Sequence, residues 1–246
     1  MKNIKSLVIM SFLTLSMLVS NAQKKKVAVI TFYADKTIDL SALSASADLI
    51  AKNTKLSDDP DFNLTEPLKK LHQAFFAEYT KNFDFEIIDE AEVLSNETYK
   101  TFVPTYQEGN TFLTNVETTT SIEGYNVIPS FRKNVKDLKE VAEALGVDGI
   151  MFVNLSFGFV KTGIGSMGYV SVQARYSMDL FTKDNNSIFQ FREVAGSKKK
   201  AVMVGGFPVM STSKIQPMCE SAVDQLMKDL NKKVARLAKK ANKKMK

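Results

Sequence analysis

Strict two-residue alternation between residues 150 and 194 constrains this chain more than any other feature. From 150 to 160, Met151, Val153, Leu155, Phe157 and Phe159 alternate with Asn154, Ser156 and Gly158. From 169 to 181, Val170, Val172, Ala174, Tyr176, Met178 and Leu180 alternate with Ser171, Gln173, Arg175, Ser177 and Asp179. Successive side chains leave a strand on opposite faces, so both runs predict half-buried strands. "KDNNS" then turns the chain into a third run, Ile188 to Val194. The expectation is an antiparallel meander.

The stretch "LKEVAEALGVDGIMFVNLSF", residues 138–157, leads into that meander as a helix, a stop, a turn and a strand. Val135, Leu138, Val141, Ala142 and Leu145 form one apolar stripe, with Asn134 expected as N-cap and Gly146 as the left-handed residue that ends the helix. Upstream, Val27 to Phe32 is nearly all apolar, as in a central strand buried on both faces. Thr65-Glu66-Pro67 starts a helix expected to run to Lys81, with Leu68, Leu71, Phe75, Phe76 and Tyr79 facing inward. Phe85 to Ile88 supplies another strand.

A last helix is expected from Lys214 to Lys240 along Ile215, Cys219, Ala222, Leu226, Leu230, Val234 and Leu237, provided that Pro217 falls in its first turn. The order predicts a single α/β (α+β) domain over 23–246 with a mixed sheet, the meander and three main helices. Two polar insertions interrupt it, 34–63 and 92–131. Three readings fit the second: a functional loop, a peripheral hairpin or a partly ordered insertion.

The amino terminus sets the expected compartment. Lys2 and Lys5 precede the apolar run Ser6 to Val19, and Ser20-Asn21-Ala22 offers small residues for cleavage near Ala22. Residues 1–22 therefore read as a signal peptide that delivers the mature chain to the periplasm or the exterior. Gln23 stands where a lipoprotein signal would place cysteine.

The net charge of +6 is concentrated at the carboxyl terminus. Residues 231–246 hold seven lysines, Arg236 and no acid, which leaves the body mildly acidic. Two readings fit this basic tail: a solvated helix end, or contact of Lys232, Lys233, Arg236, Lys239, Lys240, Lys243 and Lys244 with anionic lipid or lipopolysaccharide. "SKKK", 197–200, is a second basic cluster. Nucleic acid is not expected as a partner, since only four of the 33 basic residues are Arg.

No chemistry-bearing motif meets its structural requirement. "GIGSMG", 163–168, matches a dinucleotide fingerprint, but a strand follows where the phosphate-binding helix must stand. His72, the sole histidine, borders an apolar stripe and is expected to pack or hydrogen-bond there. Asp84, Glu86, Asp89, Glu90 and Glu92 read as a solvated strand end, and Cys219 as a small apolar core residue. The expectation is a non-enzymatic protein with no catalytic residues, cofactor or metal.

"KKVAVITFYAD", "FEIIDEAEVLS" and the 138–157 stretch together resemble envelope α/β domains shared by the curli-export lipoprotein family (CsgG-like) and the TolB amino-terminal domain. The matching residues are Lys26 to Phe32, Phe85 to Leu94 and Val141 to Val153. The resemblance implies a binding or scaffolding module of the bacterial envelope with an envelope protein partner. Its alternative implication is a subunit of an outer-membrane secretion or curli-like assembly complex, for which 92–131 or 150–181 would have to supply lipid-facing hairpins.

Overall fold

The structure, a computed structural model, describes residues 24–46, 56, 59–105, 116–163, 168–204, 207–208 and 211–245. The signal segment 1–22, parts of both polar insertions and residues 164–167 of the glycine motif lie outside the described residues. Seven strands form one mixed sheet in the order β2-β1-β4-β5-β6-β7, with β3 also on β1. β1 (Lys26–Asp39) runs parallel to β2 (Glu86–Ile87) and to β4 (Gly149–Thr162), and antiparallel to β3 (Thr119–Ser121). β5 (Gly168–Thr182) and β6 (Ser187–Val204) complete the meander, and β7 (Phe207–Pro208) pairs only with Met203 and Val204.

Val27 to Ala34 are all buried, as a strand flanked and covered on both faces requires. Val27, Val29, Phe32 and Ala34 enter the larger core, and Ala28 and Ile30 the smaller one behind it. A bulge between Val29 and Thr31 shifts the alternation, so Val29 and Phe32 share a face. β1 continues to Asp39, beyond the Phe32 end read from apolarity alone; pairing with β4 carries it across a second irregularity between Ala34 and Ile38.

Two helices cover the first face. α1 (Thr65–Ala74) buries Leu68 and Leu71, then widens into a π turn, Phe75–Tyr79, and tightens to a 3-10 turn, Thr80–Asn82. The expected 67–81 helix is thus present as three geometries in succession. The second face is closed at one end by the short helices α2 (Glu90–Ser95), α3 (Glu97–Lys100), α4 (Arg132–Asp137) and α5 (Lys139–Ala144), which bring Val93, Tyr99, Val135 and Val141 onto Ile30 and Phe152.

Gly146 adopts φ 61°, and Val147 N–H donates to Ala142 O at 3.0 Å while Gly146 N–H donates to Glu143 O at 3.1 Å. That paired closure is a Schellman stop, as the glycine predicted. Asn134 is not the N-cap; Phe131 is. Fully buried, Asn134 donates to Thr105 O and Pro129 O and accepts from Thr105 N–H at 2.7 Å. Those bonds use the amide to fasten the residue 105 strand of chain, leaving nothing for a helix end.

The final helix, α6 (Thr212–Met245), extends beyond the expected Lys240 and lies across β5 and β6. Pro217 is its sixth residue, in the second turn rather than the first, so the Ser213 carbonyl receives no bond from it. Ile215, Cys219, Ala222, Leu226, Leu230 and Leu237 are buried as the stripe predicted. Together with α1 they cover the apolar face of the β4–β5 hairpin, so that face seals a helix-covered sheet.

Phe157, 1% exposed in the middle of that layer, is a direct test of the packing. Phe157→Ala is expected to lower unfolding free energy in urea titrations by about 3–5 kcal/mol. Val202→Ala, at a side chain 55% exposed, is expected to stay within about 0.5 kcal/mol.

Candidate functional site

His72 is tied rather than free. Its Nε2 lies 2.6 Å from Glu90 Oε1, to which the Tyr125 hydroxyl also donates at 2.9 Å. Phe32 and Phe76 stand with ring centroids 4.9 Å from the imidazole. Side-chain exposure is 16% at His72 and 27% at Glu90, so the pair is largely buried. Burial, reinforced by the Glu90 charge, pushes the Tyr125 hydroxyl far above its usual range and keeps it a donor. The cluster joins α1, the start of α2 and the 122–126 turn.

Glu90 corrects one expectation: of the five acids read as solvated, it turns inward to hold His72 and Tyr125. Asp89 caps α2 by accepting from Ala91 N–H at 2.8 Å. Burial drives the Cys219 thiol well above its normal range, so it is not poised as a nucleophile. Among the described residues no group of three or more His, Cys, Asp or Glu side chains is placed to hold a metal ion.

Beyond the α4–α5 cover, the second face of the sheet turns polar. Arg175 passes over Gly158 to Asp39, Nη1 to Oδ2 2.7 Å. A Cβ at Gly158 would meet the Arg175 guanidinium at 2.5 Å, so glycine is what lets the arginine cross. Four residues along β5 on the same face, buried Asp179 accepts from Ser130 Oγ at 2.8 Å and pairs with Arg192 of β6. These partners use the carboxylates within the fold.

β6 itself borders solvent. Among the described residues it is paired only with β5 along Ser187–Val202, because β7 reaches only Met203 and Val204. Val194 is 48% exposed on that stretch. At its far end the register slips between Ser171 and Gln173, and the extra residues form a bulge around Ser197–Lys199. The bulge is fixed by Ser197 Oγ donating to Lys199 O at 2.7 Å and by Lys198 N–H donating to Ser221 Oγ of α6 at 3.1 Å.

The seven tail cations all lie on α6. Lys232, Arg236, Lys239, Lys240, Lys243 and Lys244 are exposed. Lys233 instead turns to Glu193 of β6 at 2.7 Å. Lys232 is 3.6 Å from Asp229, one turn back.

No protein-family model matches the sequence, and no curated protein matches it. Among solved structures, the LpoB C-terminal domain from Salmonella enterica is similar over 74% of this chain and 90% of that one, at 10% identity and a TM-score of 0.33. A superposition of that size places no function on the chain. The likeness to the curli-export and TolB domains rests on the residue pattern alone.

The half-buried Asp35 on β1 gives the face a pH signature. Burial raises its carboxyl above the usual range, against the lowering effect of the Thr37 amide, which donates at 2.7 Å. A raised folded value means that ionised Asp35 opposes folding above it and costs nothing below the unfolded value. Asp35→Asn, which keeps the acceptor, is expected to raise the melting temperature at neutral pH. The gain should vanish as pH falls below the ordinary carboxylate range, as followed by circular dichroism.

Proposed function

We propose that this chain is a non-enzymatic binding or assembly module of the bacterial envelope, and that it takes an extended segment of a partner protein along the β6 edge. The observation that carries the reading is the open stretch Ser187–Gly196, which has a strand on one side only among the described residues. An edge of that length presents unpaired main-chain donors and acceptors, and strand addition satisfies them. Val194, half out of the sheet, offers an apolar anchor beside Arg192.

The titratable candidates support a binding role in a second way. His72, Glu90 and Tyr125 bond one another, and Asp39 and Asp179 are each held by an arginine. The expected signal peptide and the resemblance of "KKVAVITFYAD" support a periplasmic location for the module. The β4–β5 face packed beneath α1 and α6 favours this reading over the pore-subunit alternative.

Photocrosslinking from position 194 in the native envelope tests the proposal. A single discrete adduct, mapping to an extended segment of one partner, is expected. It should be lost with the exposed Gln190→Lys on the same strand and kept with His72→Ala. Adducts from positions on α4 or α5 and none from 194 would overturn the edge assignment. A turnover activity abolished by His72→Ala would overturn the non-enzymatic reading.

A further inference from the structure

Two basic clusters, about thirty residues apart in sequence, meet in the fold. The bulge at Ser197–Lys199 is bonded through Lys198 N–H to Ser221 of α6, so Lys198, Lys199 and Lys200 stand beside the outer face of that helix. Helical periodicity puts Ser221, Gln225, Lys228, Lys232, Lys239 and Lys243 on one line of that face, with Arg236 a step to its side. From Ser221 to Lys243 the line runs about 33 Å at the usual helical rise.

The acids near this line are largely taken. Asp229 lies against Lys232, Asp224 against Lys70, and Glu193 against Lys233. After Asp229 the helix carries no further acid. Asp84 stands near the far end, beside Asn242. Lys198, Lys199, Lys200, Lys228, Arg236, Lys239 and Lys243 have no acidic partner within ion-pair distance among the described residues, whereas Lys233 of the same helix and Lys70 of α1 do.

We infer that this face, bulge lysines and α6 together, docks on the anionic headgroups of a phospholipid bilayer. The charges are strung along one helix face and the adjoining bulge, with only a shallow hollow lined by Asn82, Asp84, Lys239 and Lys243 near the far end, so the face presents a row of charge rather than a single shaped pocket. Its cations are almost all lysines, compact point charges on long stems that suit a diffuse layer of negative charge better than shaped bidentate recognition. Each such charge near a lipid surface adds to binding, and the sum is screened by salt. The inference extends the tail contact to residues outside the tail, and it stands independently of the β6-edge proposal because Ser187–Gly196 lies beyond the bulge.

The test is sedimentation of the mature full-length chain with vesicles of phosphatidylcholine containing phosphatidylglycerol, beside vesicles of phosphatidylcholine alone. Binding to the anionic vesicles only is expected, with loss at about 0.5 M salt. Lys198→Gln/Lys199→Gln/Lys200→Gln and, separately, Lys239→Gln/Lys243→Gln should each weaken it about tenfold or more at low salt. All five side chains are exposed, and matching melting curves for the variants verify the fold. Undiminished binding by the bulge variant would overturn the single face. So would binding that survives high salt, or capture by polyglutamate with none by anionic vesicles, which would point to an acidic protein instead.

Discussion

Burial of β1 on both faces is the constraint on which the rest depends. A strand with Val27 to Ala34 all out of water needs neighbours at both edges, here parallel β4 on one and short β2 and antiparallel β3 on the other, and a layer on each face. The first layer is α1 and α6; the second is the short-helix group led by α5. Unequal cover follows. α6 is 34 residues long and crosses β5 and β6, whereas the short helices reach only the β1 end of the other face. What they leave bare must be polar, and Arg175, Gln173, Ser177 and Arg192 supply that.

The same arrangement directs the charge. A long helix that buries one stripe shows its opposite stripe to solvent along its whole length. Here that stripe is cationic while the body is mildly acidic, so the molecule has one basic side fixed by packing. The β6 edge is a separate consequence: among the described residues β7 pairs only with Met203 and Val204, and the bulge with its lysines divides the rest of the edge, leaving Ser187–Gly196 as its longer regular stretch. The proposed strand addition and the proposed headgroup contact would then use different surfaces of one strand.

Much of this was legible in the sequence, for reasons that differ between elements. The alternation of β4 and β5 and the glycine stop at Gly146 are local properties, and the structure repeats them residue by residue. The end of β1 was not legible, since Asp35, Lys36 and Thr37 look like a loop until β4 is alongside to pair with Ile38 and Asp39. Asn134 resembled a cap because nothing near it in sequence announces that Thr105 supplies its partners. Glu90 resembled its solvated neighbours for the same reason: its partners lie 18 and 35 residues away. The joining of the "SKKK" bulge to α6 through Ser221 had no local signal either.

The seating of α6 as part of the cooperative core is the central claim, because the basic face exists only if that helix is held against the sheet. Native-state amide hydrogen exchange measures it directly. Amides from Cys219 to Leu237 should open with the same free energy as those from Val172 to Met178 in β5, through global unfolding alone. Fast exchange throughout α6 beside a protected β5 would show a helix that frays from the sheet, and would contradict the account.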